Sequence, residues 1–483
     1  MKKAFKVVYS ALFLAVCAAP LALMPFAESN AEIEKKALAE MPALVSDGKL
    51  NTEFSEQFES WFNDRLPLRS QLLSAANLVK GELLTSPSSN VICGSGGWIF
   101  FDTDKKDYMN TNAMTENQIS AMAVTLSLLQ ENVKSKKGSF TFVPMPNKAS
   151  VYSEKFPSCY KKAEVNNYSR LCRKLDELNV NYVDMLTLMT GYKNDVDIYH
   201  RRDSHWNYLG ALYGYNAIME SLGRSHKSYN GVTYNYEKDW RGDLDKLLYP
   251  SGGFMDYQYH FNIDWQPFSF TVPARVGDTQ EQLEIFMSDK EENDNRIGTK
   301  NMGDAENKKL YMVRDSFGRA LLPFMIDNYQ TAMFVRTDCP EMSQVPEGGD
   351  MVYEIVERNL ENLISTCPFM FAPERDSAPE AAQAGELETV CSDEGYAIRL
   401  YGALPDDIPA GDGRIYVKLS GAAGEKVFEA FPIYEKKLLN GENKNGFSLM
   451  LDPSLGLSGD YEVTVYAGGN AYKGSKASIA AQN

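Results

Sequence analysis

Histidine is the scarcest informative residue of this chain. Only four of its 483 residues are histidine, and they are His200, His205, His226 and His260. Any chemistry that needs an imidazole must therefore use one of these four side chains. Cysteine is also rare, with seven in all, and none of them forms a Cys-x-x-Cys pair. This absence disfavours a zinc ribbon or a thioredoxin-type site.

Basic charge is in deficit. The chain has 65 acidic residues against 49 lysines and arginines, which gives a net charge of -16. A surface this acidic repels phosphate backbones, so we expect no nucleic-acid partner. The other fractions are ordinary, with 44% hydrophobic and 24% charged residues, 34 glycines and 21 prolines. These values exclude wholesale disorder, collagen and a multi-span membrane protein.

Only one long apolar run is present, at residues 7–27, and three lysines precede it. This arrangement is typical of an export signal, and the run is also long enough to span a bilayer. We expect residues 1–31 to be a cleaved signal peptide or a membrane anchor, with the rest exported to the periplasm or cell surface. Because export favours disulfides, Cys159 and Cys172 are the expected pair.

Helix and strand patterns alternate through the middle of the chain. This alternation predicts an α/β domain with a parallel sheet and helices on both faces. Residues 230–305 are rich in Tyr, Asp and Gly and are expected to be an irregular insertion over the sheet. The predicted helices are 115–134, 166–178, 206–222, 317–328 and 350–365. The predicted strands are 98–101, 139–144, 181–183, 309–313 and 331–335.

The pattern changes near the C-terminus. Residues 371–388 are small and contain proline, which predicts a linker. Residues 389–483 contain short strand patterns divided by Gly, Pro and Asp turns, which predicts a small β-sandwich. Carbohydrate binding and a plain structural role both remain open for this domain.

One candidate nucleophile follows a predicted strand. Asp315 and Ser316 stand between the strand at 309–313 and the helix at 317–328, which puts the Ser316 hydroxyl at the carboxyl edge of the sheet. The amides of the helix start suit a developing oxyanion there. A serine nucleophile needs a base, usually histidine. The alternative is an ordinary helix cap, since Asp and Ser are favoured capping residues.

The candidate base is His205, because Asp203 lies two residues before it. A carboxylate at this spacing can hold the imidazole tautomer while the other ring nitrogen faces serine. We therefore predict a triad of Ser316, His205 and Asp203. The alternatives are that Asp203 caps the following helix, or that Asp203, His205 and His200 bind a metal. The metal set lacks a fourth ligand, so we expect neither a metal nor another cofactor.

Three further side chains are secondary candidates. Asn147 follows the strand at 139–144 and could join an oxyanion hole, although a turn asparagine is the simpler interpretation. Arg314 adjoins the nucleophile and could bind an acidic sugar or polarise the acyl carbonyl, with a surface ion pair as the alternative. Arg202 adjoins Asp203 and could orient it or contact substrate.

These motifs resemble a known family. The run from Asp203 to Trp206 is similar to the Asp-x-His-Trp signature of the DHHW proteins and the alginate O-acetyltransferases, in the SGNH-hydrolase-like superfamily. The run from Asp315 to Phe317 resembles their serine block. The segments 62–69, 97–100 and 144–148 are also similar and occur in the family order. Two departures are Ser204, where the family often has His or Thr, and Arg314, where it usually has Gly.

The resemblance covers residues 50–370 and implies an exported serine-dependent O-acetyltransferase that modifies hydroxyls of a cell-surface or secreted polysaccharide. It implies the same three catalytic residues, Asp203, His205 and Ser316. It also implies a polysaccharide acceptor and a membrane-bound O-acyltransferase that supplies the acyl group. Two alternatives remain open, which are an acetylesterase with the same residues and a non-catalytic glycan-binding scaffold.

Overall fold

The structure is a computed structural model that describes residues 2–24, 39–46, 49–83, 86–273, 283, 295–306, 308–409, 411–422, 424–435 and 444–480. Its helices are α1 (Lys2–Leu23), α2 (Phe54–Arg65), α3 (Arg69–Leu83), α4 (Asp104–Met109), α5 (Glu116–Ser135), α6 (Lys148–Val151), α7 (Asn167–Glu177), α8 (Met185–Tyr192), α9 (Tyr208–Ser221), α10 (Asp243–Leu248), α11 (Leu322–Asn328) and α12 (Asn362–Ser365).

Its first strands are β1 (Val45–Ser46), β2 (Lys49–Leu50), β3 (Val91–Cys93), β4 (Ile99–Phe101), β5 (Ser139–Met145), β6 (Tyr234–Trp240), β7 (Asp256–Phe261), β8 (Phe268–Val272), β9 (Arg296–Asn301), β10 (Lys309–Val313), β11 (Thr331–Val335) and β12 (Asp350–Val356). The remaining strands are β13 (Glu374–Arg375), β14 (Ala382–Glu386), β15 (Thr389–Asp393), β16 (Ile398–Ala403), β17 (Ile415–Gly421), β18 (Gly424–Ile433), β19 (Gly446–Leu451), β20 (Gly459–Ala467), β21 (Asn470–Lys473) and β22 (Ala477–Ile479).

The first helix is apolar. Residues Phe5–Leu23 of α1 have a mean hydropathy of 1.9 and are long enough to cross a membrane. A signal sequence meets the same criteria, because both need a long apolar run close to the start of the chain. The choice between signal and anchor therefore stays a prediction.

A six-stranded sheet organises the middle of the chain, in the order β5-β12-β10-β11-β9-β8. The first four strands are mutually parallel, and β9 and β8 are antiparallel at one edge. Alternate side chains of β10 enter two apolar cores on opposite faces. Helices α5 and α7 complete one core, and α9 and α11 complete the other. Parallel strands are therefore buried on both sides, as crossover helices require.

The prediction of a helix at 350–365 was wrong. Residues Asp350–Val356 form β12, which pairs with both β5 and β10 and is buried along its whole length. A strand buried on both faces loses the period-two alternation that identifies strands, so its apolar run also suited a helix. Only the short α12 of the predicted helix forms.

Three other segments differ from expectation. Strand β4 pairs with β3 in a separate two-stranded sheet rather than joining the main one. Residues 181–183 contribute only a single bridge, between Tyr182 and Phe142. The described part of 230–305 is not irregular, because β6 and β7 pair, α10 lies between them, and β8 and β9 extend the main sheet.

The C-terminal region is rich in strands. The predicted linker at 371–388 is not free, since β13 pairs with β18 and β14 pairs with β21. Strand β18 pairs first with β17 and then, further along, with β19, which joins two sets of strands. Side chains from both sets share one apolar core.

Charged residues tie this region to α5. Glu429 is buried and binds Arg375 at 2.7 Å and Arg414 at 2.5 Å. Arg375 also binds Glu131 of α5 at 2.5 Å. A buried carboxylate of this kind depends on both guanidinium partners, because its charge has no access to water.

The predicted disulfide between Cys159 and Cys172 is absent. All six cysteines outside the first helix are free thiols. Cys159 is exposed, whereas Cys172 lies partly covered on α7, where burial raises the pKa of its thiol to about 12.

The buried carboxylate of Glu429 generates a stability prediction. We expect Glu429→Gln to lower the free energy of unfolding of the C-terminal region by about 2 kcal/mol, because the buried carboxylate that accepts hydrogen bonds from Arg375 and Arg414 loses its charge. Glu425 lies on the same strand in an exposed ion pair with Lys418. Glu425→Gln should therefore cost much less than Glu429→Gln, because solvent screens this pair. Urea unfolding of both variants measures the difference, and equal costs would contradict the prediction.

Candidate functional site

Ser316 stands directly after β10, at the carboxyl edge of the sheet. The preceding Asp315 accepts hydrogen bonds from the Phe317 amide and the Val356 amide, each at 2.8 Å. The carboxylate of Asp315 therefore accepts the first free amide of the helical turn at Phe317–Leu321, and the hydroxyl of Ser316 makes no capping hydrogen bond there. The Ser316 Oγ instead lies 2.8 Å from Nε2 of His205.

His205 also contacts Asp203. Its Nδ1 lies 2.7 Å from Oδ1 of Asp203, so a chain of hydrogen bonds runs from Asp203 through His205 to Ser316. The following helix α9 is capped by Asn207, whose side chain accepts the Gly210 amide. Asp203 is thus not used as the helix cap. The structure brings together all three residues of the predicted triad, and their catalytic roles remain to be tested.

Four donors surround the carboxylate of Asp203. Its Oδ1 accepts the backbone amide of His205 at 3.0 Å as well as the ring. Its Oδ2 accepts Trp240 Nε1 at 3.0 Å and the Asp243 amide at 2.9 Å. Burial opposes ionisation, but these bonds and the nearby imidazole outweigh it and hold the pKa of Asp203 well below its ordinary value.

The imidazole of His205 is poised by the same contacts. Partial burial alone would lower the pKa of His205, because it disfavours the charged ring. The hydrogen bond that Nδ1 of His205 donates to Asp203 and the negative charges of Asp203 and Asp243 act the other way, and the pKa is raised overall. His205 is therefore a stronger base than an ordinary imidazole.

The other three histidines have different partners. His200 is buried, with Nδ1 at 3.0 Å from the Tyr257 carbonyl oxygen, and burial lowers its pKa. His226 contacts Asn216, and His260 contacts Asp239. Of the four histidines, His205 is the one in contact with Ser316.

A buried lysine supports the loop that carries Asp203. Nζ of Lys148 donates to the carbonyl oxygens of His200 at 3.1 Å, Arg201 at 3.2 Å and Asp203 at 2.5 Å. Burial lowers the pKa of Lys148 to about 8, although nearby carboxylates favour its charge. Three donors therefore meet three acceptors with no exposure to water. Lys148 is the last residue of the 144–148 segment that resembles the family. Its sequence neighbours gave no indication that its ammonium would bind the loop carrying Asp203.

Trp206 joins the histidine motif to the serine motif. Its Nε1 donates to the carbonyl oxygen of Phe317 at 2.9 Å. Gly214 of α9 makes room for the indole, since a Cβ there would lie 2.5 Å from the ring. The ring of Phe317 in turn lies 4.7 Å from that of His205. The two motifs are locked side by side through these aromatic contacts.

Asn147 lies behind the site rather than in the cavity at its surface. Its Nδ2 donates to Asp107 at 2.9 Å, and its Oδ1 accepts from Arg358 at 3.3 Å. Its backbone amide donates to Glu357, a buried carboxyl whose pKa burial raises to about 7. A role for Asn147 in an oxyanion hole stays a prediction.

The two arginine candidates also lie outside the cavity lining. Arg314 is buried, not part of a surface ion pair, and its Nη1 donates to the Asp315 carbonyl oxygen at 3.1 Å. Arg202 donates through Nε to Asp245 at 2.6 Å and covers the ring of Phe254. Arg202 therefore braces the loop before Asp203 against α10.

A cavity of about 810 Å³ opens over Ser316. Its aromatic lining residues are Trp206, Tyr208, Trp240, Phe261, Trp265, Phe317 and Phe324. Its basic lining residues are Arg241, Lys246, Arg319 and Arg336. The indole of Trp240 stacks on His200, with centroids 4.9 Å apart and an angle of 5°. The cavity therefore combines apolar ring surfaces with charge beside the serine, which suits a polar ligand with apolar faces.

Trp240 and Asp243 were missed from the sequence. Both lie in the segment expected to be irregular, far along the chain from Asp203. Asp243 accepts a hydrogen bond from the Ser204 hydroxyl at 2.5 Å and lies 3.6 Å from Nδ1 of His205. In the sequence, Gly242 was the one local indication that the chain passes close to another segment here. A Cβ at this position would lie 2.1 Å from the Arg202 carbonyl oxygen. That close approach lets α10 begin beside Asp203.

Two groups in the described residues have metal-ligand spacing. Asp203, His205 and Asp243 form one, but the oxygens of Asp203 and both ring nitrogens of His205 already make hydrogen bonds. Glu237, Asp239 and His260 form the other, where both carboxylates are exposed. The expectation of no metal stays a prediction.

The comparison with protein families bears on residues 91–283. They match the model described as the SGNH hydrolase-like domain of acetyltransferase AlgX. The resemblance inferred from the sequence is therefore confirmed. The match to the SGNH-like domain includes Asp203 and His205, whereas Ser316 lies beyond it. A comparison with curated proteins gives no match.

Solved structures also resemble the SGNH-like domain. A DHHW family protein from Eubacterium siraeum is 17% identical, covers 56% of this chain and 93% of its own, and has a TM-score of 0.42. Bacillus cereus PatB1 is 16% identical, with 56% and 96% covered and a TM-score of 0.44. The O-acetyltransferase domain of Pseudomonas putida AlgJ is 14% identical, with 56% and 92% covered and a TM-score of 0.37. No function is carried over from these low scores.

The proximity of Asp243 to His205 generates a pH prediction. We expect Asp243→Asn to lower the pKa of His205, because one of the charges that stabilise the imidazolium is lost. An NMR titration of isotope-labelled histidine would show the midpoint moving to lower pH. Asp239→Asn removes a carboxylate beside His260 and should leave His205 unchanged. An unchanged midpoint in Asp243→Asn would contradict the electrostatic assignment.

The buried ammonium of Lys148 generates a second prediction. We expect Lys148→Met to slow the reaction of Ser316 with a fluorophosphonate probe by roughly 10- to 100-fold, because the loop carrying Asp203 loses its support. The matched control is Lys136→Met, which removes another ammonium that donates to a carbonyl oxygen, that of Met342. Equal labelling rates in the two variants, after correction for thermal stability, would argue against a positioning role for Lys148.

Proposed function

We propose that this protein is an exported serine-dependent O-acetyltransferase that modifies hydroxyls of a cell-surface or secreted polysaccharide. The observation that carries the proposal is the hydrogen-bonded chain of Asp203, His205 and Ser316 at the wall of an aromatic cavity. The match to an acetyltransferase family model supports the same reaction class.

The first half-reaction would acylate Ser316. His205 accepts the hydroxyl proton through Nε2 while Oγ attacks the acyl carbonyl of the donor. The donor's leaving group takes that proton from His205, and the acetyl group stays on Ser316. Asp203 remains ionised and stabilises the imidazolium, since its pKa is held low. The Phe317 amide is engaged by Asp315, so it is not the donor we assign to the oxyanion.

The second half-reaction would use a sugar hydroxyl in place of water. That hydroxyl gives its proton to His205 and attacks the acetyl carbon. As the bond between that carbon and Ser316 Oγ breaks, His205 gives the proton to Oγ and the free serine is restored. Trp240 is the ring we expect to contact the sugar. Its Nε1 donates to Asp203 and one of its faces stacks on His200, so the indole is held in a fixed orientation in the wall of the cavity. The lining holds Arg241, Lys246, Arg319 and Arg336 as well as three aspartates, so a sugar that carries carboxylates would have to bind at the basic side chains of this acidic chain.

The surrounding regions would serve this reaction. The apolar α1 would direct export, or would anchor the chain beside a membrane-bound O-acyltransferase that supplies acetyl groups. Residues 50–370 would form the acyltransferase domain. The C-terminal strands would form a β-sandwich, because two sets of strands share one core. Carbohydrate binding by that region stays a prediction.

Acetyl transfer from an activated ester tests the proposal. We expect the wild-type chain to acetylate at least one of a panel of neutral and carboxylated oligosaccharide acceptors. Ser316→Ala should reduce this activity by at least about 1,000-fold, because the nucleophile is gone. Mass spectrometry would identify the acetylated sugar and released acetate. Ser343→Ala is a suitable control, since Ser343 is exposed and contacts Glu341.

The products separate the alternatives. Ser316-dependent acetate release that does not respond to any acceptor would indicate an acetylesterase instead. Glycan binding without Ser316-dependent turnover would indicate a scaffold. Either result would contradict the transferase.

A further inference from the structure

Helix α3 packs its polar face against the protein and exposes its apolar face. Its polar side is the packed side, where Ser70 is fully buried and Asn77 is 1% exposed. Asn77 donates to the Leu248 carbonyl oxygen at 2.9 Å, and the Ser74 hydroxyl contacts Ser251. A surface helix normally buries its apolar face and leaves polar residues in water. In α3 hydrogen bonds hold the polar face against the protein.

The apolar side of α3 faces outward. Leu72, Ala75, Ala76 and Val79 follow the spacing of one helical face, and all four are exposed. Val79 is 62% exposed and Leu72 39%. Leu68, Leu73 and Leu78 flank this face and are exposed as well. We call these seven residues the α3 stripe.

The neighbouring segment adds to this apolar surface. The segment before α2 is joined to it at Ala39, whose amide donates to Asp64 and whose carbonyl oxygen accepts from Arg65. The described part of this segment exposes Met41, Leu44, Val45 and Leu50. Exposed apolar side chains gathered in this number are typical of an interaction site.

The chemistry of the surroundings favours a lipid surface as the occupant. Lys80 is exposed at one end of the α3 stripe, where its ammonium would attract anionic headgroups. Trp61 of α2 is partly exposed, and the guanidinium of Arg65 covers its ring. Tryptophan beside basic residues is typical of the membrane interface. The same end of the chain contains α1, which is long and apolar enough to cross a bilayer.

We propose that the α3 stripe lies on the surface of a lipid bilayer. Its polar face contacts α10, whose first amide donates to Asp203. The residues of α10 that line the cavity are Asp243 and Lys246. Contact with the bilayer would thus hold the cavity of Ser316 close to the membrane, through one helix packed on another.

Photo-crosslinking tests the occupant. The full chain, with p-benzoylphenylalanine replacing Val79, would be reconstituted in nanodiscs of phosphatidylethanolamine and phosphatidylglycerol and irradiated. The control replaces Val165, which is 50% exposed and lies outside the stripe. We expect at least about fivefold more lipid adduct at position 79 than at 165, because only the stripe enters the headgroup region.

A second substitution keeps the test independent of the label. Leu72→Gln in the chain labelled at position 79 should reduce the lipid adduct to the control level without lowering the thermal unfolding temperature, since Leu72 is exposed and belongs to none of the apolar cores of the described residues. Ser316→Ala should leave the adduct unchanged, so the result does not depend on the proposed transferase activity.

Three results would overturn the membrane proposal. The first is a lipid adduct at position 79 no greater than that at 165. The second is an adduct with the mass of two chains, which would identify a second copy as the occupant. The third is a crosslink to another protein in native membranes that replaces the lipid adduct.

Discussion

Four hydrogen-bond donors converge on the carboxylate of Asp203, and the geometry of the site depends on them. Two come from His205, one from Trp240 and one from the amide of Asp243. Because both oxygens are saturated, the carboxylate stays ionised and fixed in orientation although it is buried. The imidazole is thereby oriented toward Ser316, and its basicity is raised.

The sheet supplies the frame on which this constellation is built. Strands β5, β12 and β10 are parallel neighbours, so their carboxyl ends meet at one edge. Asn147, Glu357 and Ser316 follow these three strands in turn. Asp315 binds the amide at the end of β12, which ties the serine turn to the adjacent strand. The loop at residues 200–205, which contains His205, reaches the same edge. Lys148, just after β5, donates hydrogen bonds to three carbonyl oxygens of this loop.

Residues outside the frame connect the site to the rest of the chain. Helix α10 meets Asp203 at its start and α3 near its end, so one short helix links the carboxylate of Asp203 to an exposed apolar surface. Arg202 adds an ion pair between the loop at residues 200–205 and the buried carboxylate of Asp245 in α10. Loss of this pairing would remove the nearest cation from the buried carboxylate of Asp245, which would keep the Phe254 amide at 3.0 Å and Arg241 at 4.0 Å.

Local patterns predicted much of the α/β domain. The helix at 115–134 and the strands at 139–144, 309–313 and 331–335 form close to their predicted bounds, because amphipathic spacing and caps act over a few residues. Strand β12 was mistaken for a helix because a strand covered on both faces carries no alternation. The irregular appearance of 230–305 hid β6, α10 and β7, because β6 and β7 pair with each other across the residues that contain α10.

Sequence alone determined which residues could supply the chemistry. With four histidines in the chain and one acid two residues before His205, the choice of Asp203, His205 and Ser316 followed from composition and spacing. Tertiary structure alone decided what surrounds them, including Trp240, Asp243 and Lys148, and it withdrew Asn147, Arg202 and Arg314 from the cavity lining. The reason is physical, because a side chain's partners across long stretches of chain depend on packing and burial, which leave no local signature.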